Sequence, residues 1–166
     1  MSVPRSIAVL PLAILLAFSD PAPVAAQANP DAQSRLWDAA IAGDTAAITR
    51  ALADGARIDS LDVRRSRNGR RALNWAALNN HVPAIQLLLT RGAGIQLPNL
   101  TGFTPLHHAA EAGASDAAMA LLAAGADPTW PNDAGRTPAE VATANGHGEL
   151  AGALSAAASR FTPAPN

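Results

Sequence analysis

The sequence predicts an all-α solenoid of about four two-helix repeats stacked in a line, and three observations predict it. Thr104-Pro105-Leu106-His107-His108-Ala109-Ala110 has a copy 33 residues downstream at Thr137-Pro138-Ala139-Glu140-Val141-Ala142 and another 33 residues upstream at Leu73-Asn74-Trp75-Ala76-Ala77. Leu88-Leu89-Thr90-Arg91-Gly92-Ala93 recurs at the same 33-residue offset as Leu121-Leu122-Ala123-Ala124-Gly125-Ala126. Within each copy the apolar residues keep helical spacing, so each unit reads as two short helices and a turn. A degenerate further copy, Leu36-Trp37-Asp38-Ala39-Ala40-Ile41-Ala42-Gly43, lies 37 residues before the Leu73 copy, so four residues are inserted between them.

Taken in order, residues 1–28 have the pattern of a secretory signal. Arg5 supplies the positive start and Ile7 to Phe18 an apolar core, with small-x-small cleavage sites after Ala26 and after Ala28. The core is short for a bilayer span and Pro11 interrupts it. The chain has no cysteine, which removes disulfides, thiolate metal sites and lipid attachment through cysteine. An exported chain without disulfides is expected in a bacterial periplasm. Residues 29–33 read as a flexible lead. The repeat domain is expected over 34–159, with units at about 34–62, 63–96, 97–129 and 130–159, and a loose tail at 160–166. Its core is expected from Leu36, Ala39, Ala40, Ala47, Ile48, Ala51 and Leu52 in the first unit and Leu73, Ala76, Ala77, Ile85, Leu88 and Leu89 in the second. Leu106, Ala109, Ala110, Ala118, Leu121 and Leu122 serve the third, and Ala139, Ala142, Leu150 and Leu154 the fourth. No unit buries enough apolar surface alone, so stability must come from stacking.

The Thr-Pro-Leu-His-x-Ala-Ala pattern at 104–110, with its period and its Gly-Ala ends, resembles the signature of the ankyrin-repeat family over about Ser34 to Ser159. That resemblance implies an ankyrin-repeat solenoid with short β-hairpin or loop fingers between units. It also implies a non-catalytic function, the binding of another protein through the concave first-helix face and the fingers. His107 is the signature histidine, and His81 and His147 fall at the inter-helix turn where the family commonly has Gly-His, so scaffold roles are implied for all three. Only His108 has no such explanation. With Glu111 it forms an i, i+3 pair, but no further ligands accompany it and no metal is expected.

The chain has no cysteine nucleophile, no G-x-S-x-G elbow, no phosphate loop and no converging carboxylates, so neither catalysis nor a cofactor is expected. A net charge of -1 gives no reason to expect nucleic acid. All 12 basic residues are arginine. Five of them, Arg64, Arg65, Arg67, Arg70 and Arg71, crowd the inserted loop between the first two units. This finger is expected to project and to seek anions, or else to be solvated filler, with Asp59 and Asp62 near enough to neutralise it in part.

Carried over by register, the resemblance places partner contacts at Arg67, Asn68 and Arg70 with Leu78 and Asn79. In the next unit it places them at Leu100, Thr101 and Phe103 with Glu111, and in the last at Asp133 and Arg136 with Asn145. Arg64, Arg65, Arg71 and Trp130 join them as exposed finger residues. Trp75 and His108 occupy equivalent places in successive units and are expected to adjoin. The expected partner is an envelope protein that the chain inhibits or protects as a monomer. The alternative is attachment to anionic lipid through the arginine finger.

Overall fold

The computed structural model describes residues 29–65 and 67–162; the expected export signal at 1–28 and the end of the expected tail, 163–166, lie outside the described residues. Eight helices pair into four units: α1 (Pro30–Ala42) with α2 (Thr45–Ala53), α3 (Ala72–Leu78) with α4 (Val82–Thr90), α5 (Pro105–Ala112) with α6 (Ser115–Ala123), and α7 (Pro138–Ala144) with α8 (Gly148–Ala158). The first helices pack in a row, α1 on α3, α3 on α5 and α5 on α7, while α2, α4 and α6 stack behind them. Most of the expected core is buried, but Ala47, Leu52, Leu89 and Leu122 are only partly covered, because they lie on the second helices, which form the outer layer. Leu36, Ile48, Leu73, Ile85, Leu88, Leu106, Leu121 and Leu154 are sealed from water, and alanines between them let the helices approach closely.

The first helix begins earlier than expected. Residues 29–33 do not form a flexible lead: Asn29 is the N-cap, its side chain accepting from Asp31 N and Ala32 N at 3.1 and 3.2 Å, and Pro30 fills the first helical position. Ala32 and Gln33 are buried. Gln33 clamps the Arg57 backbone in both directions, donating to its carbonyl at 3.1 Å and accepting from its N–H at 2.8 Å.

The first helices of the third and fourth units start on reciprocal caps, with Thr104 and Thr137 accepting from the His107 and Glu140 N–H groups, and that of the second unit keeps only the returning half. Asn74, His107 and Glu140, equivalent residues in the third helical position, each accept from the N-cap backbone N–H of Arg71, Thr104 and Thr137 at 2.8, 3.2 and 2.8 Å. Because His107 Nδ1 accepts, Nε2 carries the proton and donates to the Arg136 carbonyl at 3.0 Å, tying the third unit to the finger that follows it. Burial, against that bond, holds the His107 pKa below its ordinary value.

The inter-helix turns lock each unit to the next by complementary shapes. Gly43, Asn80, Gly113 and Gly146 all adopt the left-handed conformation. The His81 ring lies against Gly43 and donates from Nε2 to the Ile41 carbonyl (2.9 Å), and the His147 ring lies against Gly113, so a Cβ at either glycine would collide. Where the following unit has Ala114 instead of histidine, the preceding turn carries Asn80. Its side-chain oxygen accepts from Ala117 N at 2.8 Å and fills the gap.

Between units the chain forms loop fingers; no strand is present among the described residues. Asn99 N donates to Phe103 O and Asn132 N to Arg136 O, closing two five-residue fingers at 2.8 and 2.9 Å. In the first finger the same closure joins Asp62 and Arg70, which exchange backbone bonds at 2.7 and 3.2 Å. The four inserted residues therefore lie inside this finger. Successive fingers are stitched together, Leu100 N donating to Asn68 O and Asp133 N to Thr101 O.

Candidate partner-binding surface

Four of the five finger arginines are engaged within the fold, although Arg64 and Arg65 stay exposed. Arg64 lies over the Trp37 ring at 4.7 Å, and Arg70 lies over the Trp75 ring at the same distance. Arg64 donates through Nε to the sealed Asp62 carboxylate at 2.8 Å and reaches Asp38 at 3.2 Å; Arg65 joins the same Asp38 at 3.0 Å. The Asp62 bond first, against some desolvation, raises the pKa of Arg64 and keeps it protonated. Arg70 approaches Glu111 at 3.7 Å and Arg71 donates to the Asp59 carbonyl. Arg67 alone of the five has no partner among the described residues, and it is exposed. The expectation of a projecting, anion-seeking cluster is therefore corrected. Stacking on tryptophan and pairing with Asp38, Asp62 and Glu111 tie Arg64, Arg65 and Arg70 to the first-helix row, and Arg71 is tied to the Asp59 carbonyl.

His108, unexplained by register, is a core residue. It is 1% exposed, its Nδ1 donates to Glu111 at 3.0 Å, and Phe103 packs against both it and His107 with ring centres 5.5 and 5.4 Å apart. Burial, as the largest cause, holds its pKa below the ordinary value despite Glu111. The His108 bond in turn lowers that of Glu111. Trp75, in the equivalent place one unit earlier, is also buried, and Arg70 bridges the two by covering one and approaching the other's carboxylate partner. Among the described residues no group of three or more histidines and carboxylates is placed to hold a metal ion. None of their helices is long and apolar enough to cross a membrane.

The remaining candidates divide into scaffold and surface. Phe103 and Glu111 serve His108, and Leu78 is half-buried against the core. Asn79 and Asn145 are exposed but spend their side chains on the carbonyls of Trp75 and Val141, each at 2.8 Å. Asn68 and Thr101 hold the finger ladder through their carbonyls. Leu100, Trp130, Asp133, Arg136 and Arg67 remain open to water. Two residues left out of the candidate list belong with them: Leu97, equivalent to Trp130 by the 33-residue offset, and Val63 in the insertion. Among the described residues the exposed large hydrophobics are Val63, Leu97, Leu100, Met119 and Trp130, and all but Met119 lie in the fingers and the loops that lead into them. The offset could have found Leu97, and it also puts Asp38 in one column with Trp75 and His108, the position from which it meets Arg64 and Arg65. Val63 carried no such sign.

A line of helix-turn-helix units joined by stitched fingers defines a repeat-protein scaffold. Residues 36–89 match a family model described as ankyrin repeats in many copies, and residues 91–161 match one described as ankyrin repeats in three copies. The chain is an ankyrin-repeat protein over those segments. No curated protein matches it. Ankyrin repeats generally serve as non-catalytic scaffolds that bind other proteins.

Proposed function

We propose that the chain is a periplasmic protein-binding module that inhibits or protects an envelope enzyme, and that its contact surface is the row of fingers. The observation that carries this is the segregation of exposed apolar residues. Each unit seals its central leucine or isoleucine from water, yet Leu97, Leu100 and Trp130 stand in water on the stitched fingers and the loops that lead into them, with Leu100 56% and Trp130 43% exposed. Large apolar groups with cationic neighbours in a solvent-facing row are the material of interface hot spots. A periplasmic site rests on the sequence alone, through the signal-like pattern of residues 1–28.

The protein-binding reading is favoured over attachment to anionic lipid or another polyanion, because Asp38, Asp62 and Glu111 pair with three of the five finger arginines. The test is capture from periplasmic extract with the wild-type chain and with a Leu100→Ser/Trp130→Ser variant that melts at the wild-type temperature. A protein held one-to-one by the first and lost by the second is expected. A protein held equally by both would remove the fingers from the interface.

A further inference from the structure

We infer that the partner of the finger row is an extended segment with an acidic residue near each end and bulky apolar residues between them. This rests on the proposal that the fingers are the contact surface and goes on to name the chemistry they accept. Two observations lead to it, the first being which charges are left over. Arg64, Arg65, Arg70 and Arg71 are all engaged within the fold, but Arg67 on the first finger and Arg136 on the third are exposed, and neither guanidinium has a partner among the described residues. Between these cations, on the middle finger and on the approach to the third, stand Leu100, Leu97 and Trp130. The row thus runs cationic, apolar, cationic, with Asp133 the exposed acid along it. A carboxylate suits each guanidinium fork, and apolar side chains suit what lies between.

The second observation is what occupies the neighbouring surface. A helical ligand would need the concave first-helix row, but in the first two units that row is covered from within. Trp37 and Trp75 are each only 8% exposed beneath Arg64 and Arg70. The fingers offer a narrow line instead. Each finger is two chain limbs joined by a backbone bond and bonded again to its neighbour, so equivalent points on successive fingers lie about 10 Å apart, twice the usual spacing of paired chains. From the first finger to the third is then about 20 Å, which an extended chain covers in about six residues at roughly 3.3 Å each. The acidic residues of the ligand should therefore be about six apart, with leucine, phenylalanine or tryptophan between them. A helix would need about 13 residues for the same span.

The test is selection of random 12-residue peptides displayed on phage against the protein, followed by affinity measurements on the enriched peptides. Expected are peptides with Asp or Glu flanking apolar residues at about that spacing. Their affinity should fall at least tenfold on the folded Leu100→Ser/Trp130→Ser variant, fall severalfold on Arg67→Ser or Arg136→Ser, and weaken with salt. Enriched peptides that are basic, or that bind all the variants equally, overturn the inference and leave the protein-binding proposal to the capture experiment. If peptides of the expected pattern fail to bind while the captured partner still depends on Leu100 and Trp130, the ligand is a folded surface and the inference again fails.

Discussion

At the scale of the residue, the molecule is held by small side chains matched to larger ones across the repeat boundary. Gly113 has φ 68°, and a Cβ there would lie 2.5 Å from His147 Nδ1. Gly113→Ala should therefore destabilise by about 1–3 kcal/mol in urea unfolding. Adding His147→Ala should recover the part due to collision and leave the part due to the left-handed backbone. His108 makes a second prediction. Burial lowers its folded pKa, so below its ordinary value of 6.5 the unfolded chain takes up a proton that the folded chain refuses. Stability should therefore be flat above that pH and fall as pH drops below it. Glu111 adds to the loss below its own ordinary value of 4.5, since His108 holds its folded pKa lower still. Thermal melts from pH 7.5 to 5 (about the span in which histidine titrates) should show this fall in the wild type and a shallower one in His108→Gln. His107 was readable from the signature; of the surroundings of His108 only the i, i+3 pair with Glu111 was readable, because Phe103 and Arg70 come to it from the fingers.

At the scale of the element, the first finger is the departure from the repeat. Its extra length was legible as a 37-residue offset among 33-residue ones, and its location was correctly read as the loop between the first two units. What it does was not legible, since Asp38 and Arg64 are 26 residues apart and Arg70 and Glu111 are further. Pairing over such distances depends on how units stack. The effect of replacing a finger arginine on stability should divide by position. Arg70→Ser should cost about 1–2 kcal/mol, losing a stack on Trp75 and the packing of its mostly buried stem, whereas Arg67→Ser should stay within about 0.5 kcal/mol. Equal effects in chemical unfolding would mean that the inward pairing contributes nothing. The early start of α1 was within reach of the sequence. Asn29-Pro30-Asp31 carries the N-cap residue, the first-position proline and the first-turn acid that open helices, but its polar composition was read first.

At the scale of the whole molecule, stability is distributed along a line of units, and most of the exposed large apolar residues among the described residues gather at its fingers. Leu106, sealed in the third unit between neighbours on both sides, should cost about 2–5 kcal/mol when replaced by alanine, measured by urea unfolding. Substitution of Leu100 by serine should cost almost nothing, because it is more than half exposed and its N–H bond to the first finger is independent of its side chain. The fold was legible because two lines of self-similarity shared one period. The surface was legible only as positions in a register, because exposure and charge pairing are decided by how the fingers lie on the helices. The most direct test of the finger row as the contact surface is amide hydrogen exchange on the protein alone and in complex with its captured partner. The account predicts new protection in 67–70, 97–103 and 130–136, with the amides of α2, α4 and α6 unchanged. Protection confined to those second helices, with the fingers exchanging as freely as before, would contradict it.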